Sequence, residues 1–148
     1  MSNSRSRLCA LYVAVAGLAL VATWRQNLAF MDGHASFATG FVAFWPALLA
    51  NRATISITVD IFLFGLAATV WMVLEARRLA IKGVWLYVLL GFAIAISVAF
   101  PLFLVARERR LAAISPAREE TTLTASDMVG LALCGLPILA FAVWCTVR

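Results

Sequence analysis

Residues 54–74 carry a single charged side chain, Asp60, in an otherwise apolar run. A helix of that length extends about 31 Å, which matches the ~30 Å hydrocarbon core of a bilayer. Three more apolar runs follow the same pattern, at about 8–24, 84–105 and 128–147, with charged or turn-rich breaks between them. The 148-residue chain is 64% hydrophobic and 13% charged, with mean hydropathy +0.98. Soluble domains lie nearer ~45–50% apolar and ~25% charged, so lipid must cover part of this surface. The expected fold is an all-α membrane protein forming one membrane domain over residues 1–148. Four transmembrane helices make an up-down bundle, and residues 106–127 form a polar loop.

The net charge is +5. The Arg residues sit beside the apolar runs in short breaks, which suits anchoring to anionic head groups. No basic helix face or aromatic-basic stripe appears, so the expected partner is membrane lipid and not nucleic acid. The N-terminal lead through Arg7 and the apolar run after it also resemble a signal peptide. The run lacks a clean small-x-small site before a polar start, and is read as a retained span.

Residues 27–34 read as a turn-rich loop, and Ser36 as the cap of a short helix over about 36–50. Phe37, Phe41, Phe44, Trp45 and Leu48 recur at helical spacing on one face. Fifteen residues reach only ~22 Å, too short to cross. This segment is expected to be an amphipathic interfacial or re-entrant helix. Its aromatics should face the bundle or acyl chains and its small residues the head groups. A pocket is then expected between the aromatic face and the 54–74 span, with Asp60 near its rim. Small residues such as Ala95 with Ala99, Ala93 with Ser97, and Gly130 with Cys134 are expected at helix contacts. Ser126 or Asp127 is expected to cap the last span.

Four spans would return the chain to its starting side. Lys and Arg then divide evenly between the two faces, so the positive-inside rule does not decide. Arg5 and Arg7 before the first span favour an inner-membrane, multi-pass protein with both termini cytoplasmic. Cys9 and Cys145 would then share one reducing side as thiols.

Asp60 is the residue most suggestive of chemistry. A carboxylate inside a span costs ~2.5–3.5 kcal/mol on insertion scales if central, and must face a partner, water or a ligand. Desolvation would suit it to proton donation, which makes it the candidate catalytic residue. The plainer reading is a packing hydrogen bond, with Ser56 one turn earlier as a candidate. Asp32, Asn51, Phe37, Phe41, Phe44 and Trp45 are candidate ligand-binding residues around the expected pocket. Asn51 also suits capping, and aromatic stripes commonly serve packing. Glu75 lies ~22 Å from Asp60 along the helix and cannot form a dyad with it. It is expected to pair with Arg78 at i+3, or with Arg107 or Arg110 across the turn. His34 with Asp32 is a poor metal set, and Cys9, Cys134 and Cys145 match no metal or haem spacing. No phosphate loop or nucleophile elbow is present, and no cofactor is expected.

The string Asn51-Arg52-Ala53-Thr54, then Asp60, then Glu75-Ala76-Arg77-Arg78-Leu79 and Lys82-Gly83-Val84-Trp85 continues to Phe100-Pro101-Leu102-Phe103-Leu104 and Arg107-Glu108-Arg109. It resembles a widespread family of small bacterial and cyanobacterial multi-span membrane proteins catalogued as a domain of unknown function. The resemblance covers about residues 8–110 and leaves the last span outside as an extension. It implies no activity. The acid in a span, the acidic-Arg-Arg end and the Pro-Leu-x-Leu close are also similar to neoxanthin-synthase-like membrane proteins. Phe30-Met31-Asp32 is similar to the sterol-isomerase and sigma-2-receptor group. Those two resemblances imply an isoprenoid, carotenoid-like ligand protonated or oriented by Asp60.

Three functions compete: an accessory or structural subunit of a larger membrane complex, which is favoured; a binding protein or enzyme for an apolar lipid or isoprenoid using Asp60; and a small transporter or channel. Whether the chain is an enzyme is left open. A transporter should show more polar pore-lining residues or paired broken helices.

Overall fold

In a computed structural model, which describes residues 3–114 and 124–147, the chain is helical with no strand among those residues. Six helices follow in order: α1 (Asn3–Asp32), α2 (Phe37–Ala47), α3 (Arg52–Leu79), α4 (Val84–Ala93), α5 (Ile96–Ile114) and α6 (Ala125–Val147). Three of them, α1, α3 and α6, are long and apolar enough to cross a membrane. Four such spans were expected, and the third, over 84–105, is the one that differs.

That run is broken at Ile94–Ala95 into α4 and α5. The ten residues of α4 extend only about 15 Å, half the thickness of a hydrocarbon core. The two helices fold back on each other. Gly91 of α4 lies against Ile96 and Ala99 of α5, where an added Cβ would sit 3.3 Å from the Ile96 side chain. Nearer the open end, Tyr87 packs edge-on against Phe103. The bare Cα at Gly91 leaves room for this close approach, although a Cβ there would ask the Ile96 side chain to give only slightly.

The hairpin sits beside the C-terminal half of α3. Trp71 meets Phe100 and Phe103, Glu75 meets Arg107, and the Leu79 carbonyl meets Arg110. Positions rise together in both helices, so α5 runs parallel to α3 and both end at the same place. Both open ends of the hairpin therefore lie at the C-terminal end of α3. Met72, Ala76, Val84, Val88 and Phe103 form its dry core.

The α5 helix is central and packs against α1, α3 and α4, whereas α2 and α6 each pack against α1. Every buried residue of α3 lies from Ala68 onward, namely Ala68, Met72, Glu75, Ala76 and Leu79. Its N-terminal half stands above the hairpin tip with no other helix beside it among the described residues.

Local chemistry sets most boundaries. The Ser36 hydroxyl accepts from the Thr39 backbone N–H, and the Thr39 hydroxyl oxygen accepts from the Ser36 N–H, which closes a capping box on α2. Asn51 does the same for α3, with Oδ1 accepting from Ala53 and Thr54. Thr124, rather than Ser126 or Asp127, takes the capping position of α6. Its hydroxyl accepts from the Asp127 N–H, and the Asp127 carboxylate accepts from the Thr124 N–H. The loop expected at 27–34 starts only at Gly33, because α1 continues through Asp32. The polar loop expected at 106–127 begins late too. Residues 106–114 belong to α5, and the Ser115-Pro116 break with Arg118, Glu119 and Glu120 lies outside the described residues.

The short helix α2 lies against α1 through its small face. A Cβ on Gly40 would come within 2.9 Å of the Met31 Cα, so only glycine permits that approach. The expectation had the small residues facing outward; Ala38 and Thr39 do so, while Gly40 is buried against α1 and Ala43 and Ala47 are half-buried. Gly130 and Cys134, expected at a helix contact, have open space at Gly130 and an exposed Cys134.

Candidate functional site

A cluster of four charges joins α3 to α5. The Glu75 carboxylate, 7% exposed, accepts from Arg78 Nε and Nη2 at 2.6 Å each and from Arg107 Nε at 2.7 Å. Arg107 Nη1 donates to Glu108, also 7% exposed, at 2.6 Å. The Arg107 guanidinium stands 5.9 Å from the Trp71 ring centroid. Arg110 Nε donates 2.8 Å to the Leu79 carbonyl, which would otherwise be orphaned at the end of α3. Each buried charge has an opposite partner, as burial requires. Such a closed network leaves no unpaired acid, base or nucleophile. It acts as a clamp holding the re-entering α5 against α3.

The sequence-predicted residues are scattered. Asp60 is exposed on α3, a turn or two below its start, with exposed Ile57, Ile61, Phe62, Leu63 and Phe64 around it. Among the described residues it has no hydrogen bond or ion pair, including with Ser56. Asn51 uses its side-chain oxygen as the α3 cap. Asp32 ends α1 with an exposed side chain. Phe37, Phe41 and Trp45 point outward at 58%, 47% and 50% exposure. Phe44 instead turns toward α1 and meets Phe30 edge-on at 5.8 Å, beside the His34 ring. His34 Nδ1 lies 2.9 Å from the Phe30 carbonyl. Because α2 packs on α1 and does not touch α3, no pocket forms between its aromatic face and Asp60.

A concavity lies at the other end of the molecule. An open groove of about 800 Å³ runs between α1, α4, α5 and the α3–α4 turn. Val13, Tyr87 and Leu102 line its floor, and Lys82, Arg109 and Arg110 its edge. Sequence reasoning missed it, and it missed the burial of Glu108. Both depend on the hairpin bringing residues 82–87 next to 102–113. No local pattern signals that closure, since neither Gly nor Pro stands at Ile94–Ala95. Among the described residues no group of His, Cys, Asp and Glu is placed to hold a metal ion.

Cys9 and Cys145 lie at opposite ends of α1, contrary to the expected shared face. Gln26 Nε2, seventeen residues along α1 from Cys9, donates 2.6 Å to the Cys145 carbonyl.

No curated protein and no solved structure matches the chain, so the similarities to neoxanthin-synthase-like and sterol-isomerase-like proteins rest on their short strings alone. A family model described as "Protein of unknown function DUF2834" matches residues 11–109, from α1 through most of α5 and short of α6. The chain thus belongs to the DUF2834 family, whose matched region contains the charge clamp, Asp60 and the folded-back hairpin.

Proposed function

We propose that the chain is an accessory or structural subunit of a larger complex in the cell inner membrane. One observation carries this reading: among the described residues Asp60 stands unpartnered, on the half of α3 that no other described helix covers. A lone carboxylate facing lipid is costly, and the space beside it is open because the hairpin stops short. A spanning helix of a partner protein, bearing a Lys, Arg, amide or hydroxyl donor opposite Asp60, satisfies both the acid and the bare face. The closed clamp at the other end gives the chain a rigid body on which to present that face. The isoprenoid reading loses support, because the aromatic helix and Asp60 do not share a pocket. The channel reading lacks a polar pathway among the described residues.

From the same geometry we infer an orientation, because it supports an uneven division of charge between the two faces. Among the described residues, three crossings would gather Arg5, Arg7, Arg77, Arg78, Lys82, Arg107, Arg109 and Arg110 at one end, and Arg25 and Arg52 at the other. The positive-inside rule then puts the N-terminus in the cytoplasm and the end of α6 on the opposite face. In a cysteine-free background, Lys82→Cys and Ala113→Cys should both resist a membrane-impermeant thiol reagent, while Ala35→Cys reacts. Opposite labelling of Lys82→Cys and Ala113→Cys would mean that the 84–105 run crosses.

The subunit reading is tested with a photo-crosslinking amino acid at Phe64, used in native membranes with Leu139 on α6 as the comparison site. One discrete product should form at Phe64, be lost in Asp60→Leu, and contain a second membrane protein. A product that survives Asp60→Leu, or that is only a dimer of this chain, overturns the proposal.

A further inference from the structure

We propose that the groove between α1, the α3–α4 turn and the α4–α5 hairpin is a seat for one anionic phospholipid. Its phosphate would lie among Lys82, Arg109 and Arg110, and an acyl chain along Val13, Tyr87 and Leu102. This site is separate from Asp60 and does not depend on the subunit reading.

Three features point to that occupant. First, the groove is amphipathic in the right order. Its cations stand at the end where α3 and α5 finish and the charges of the chain collect, and its apolar floor runs from there toward the hairpin tip. A phospholipid has the same polarity along the same axis. Second, two of the cations are uncommitted. Lys82 and Arg109 are exposed and hold no ion pair or side-chain hydrogen bond among the described residues. Arg110 spends its Nε on the Leu79 carbonyl, which fixes the guanidinium at the groove edge. Neighbouring Arg78 and Arg107, by contrast, are already neutralised by Glu75 and Glu108. The cluster thus divides into a paired clamp and an unpaired rim. Third, α4 begins two residues after Lys82 with no side-chain cap on its N-terminus. Its first N–H groups add positive potential next to Lys82. The volume of about 800 Å³ falls within the ~300–1,000 Å³ usual for ligand sites. Basic pockets between membrane helices on the cytoplasmic side suit anionic head groups.

The test uses the full chain in nanodiscs of phosphatidylcholine with a rising fraction of phosphatidylglycerol, followed by native mass spectrometry of lipid retained after mild extraction. Wild type should keep one phosphatidylglycerol in preference to phosphatidylcholine. Lys82→Gln and Arg109→Gln should each weaken retention about fivefold, the scale of one interfacial cation against anionic lipid. Arg25→Gln and Arg52→Gln, at the opposite end, should leave it unchanged. Val13→Trp, which fills the floor and keeps every charge, should also abolish retention. Excess inorganic phosphate should not displace the lipid. Equal loss in the Arg25 and Arg52 variants would mean general surface attraction, and retention unaffected by Val13→Trp would mean that no chain is seated. Displacement by phosphate would make this a free-phosphate site. Any of these results overturns the proposal.

Discussion

The α5 and α6 helices are both apolar by sequence, yet they occupy opposite roles. Six residues of α5 are buried, Val98, Ala99, Pro101, Phe103, Val105 and Glu108, and it touches three other helices. No residue of α6 is buried, and it touches only α1. The four consecutive charges belong to α5, the buried helix, while α6 has only Asp127 in its first turn. In water the more apolar helix would be inside. In lipid, Leu against acyl chain is as good as Leu against Leu, so apolarity gives no drive toward burial. Close approach, ring packing and paired charges select the interior instead. Gly91 against Ile96, Phe103 among Trp71 and Tyr87, and the Glu75 clamp are those three devices in this molecule.

That contrast can be broken by substitution. The largest effect is expected for Glu75→Ala, which leaves Arg107 half-buried with one carboxylate fewer. The loss should be about 3 kcal/mol, at the lower end for breaking a buried pair because Arg107 keeps some exposure. Unfolding in mixed detergent micelles measures it. A loss below about 1 kcal/mol, the range of exposed pairs, would reduce the clamp to a surface feature.

Phe103→Ala should follow closely, at about 3 kcal/mol, the lower end for deleting a fully buried Phe side chain, because the ring leaves a cavity between three helices. A wild-type melting point for this variant would mean that the hairpin core is not packed as described. Gly40→Leu should cost about 1–3 kcal/mol by forcing α2 away from the Met31 backbone. Gly65→Leu is its control, since nothing lies within 4 Å of that glycine on the bare half of α3. Similar losses at both positions would show that Gly65 is covered after all. The smallest effect belongs to Leu133→Ala on α6, where a 70% exposed side chain should change stability by less than about 0.5 kcal/mol. A larger drop would place an unseen contact on α6 and weaken the comparison with α5.

How far this architecture was legible differs from residue to residue. Ser36 and Asn51 were readable as caps because a hydroxyl or amide before a helix acts on N–H groups two or three residues away. Glu75 with Arg78 was readable because i+3 side chains share a helix face. Arg107 was only one of two candidates across the turn, since a contact across thirty residues leaves no local mark, and the burial of Glu108 beside it has no pattern of its own. The aromatic stripe of α2 was visible as a stripe. Its direction was not, because the decision rests on Gly40 meeting Met31, a fit between two surfaces.

By itself the sequence determined the apolar surroundings, the helical class and the starts of α2 and α4. Those follow from hydropathy over twenty residues and hydrogen bonds over four, which act wherever the segment sits. Only the tertiary structure decided that residues 84–114 turn back on themselves. The turn is held by the close approach of Gly91 to Ile96 and Ala99 and by Glu75 gripping Arg107, contacts that exist only once α3, α4 and α5 lie side by side. The hairpin in turn decided the rest: which half of α3 is bare, where the groove opens, and why the charges gather at one end.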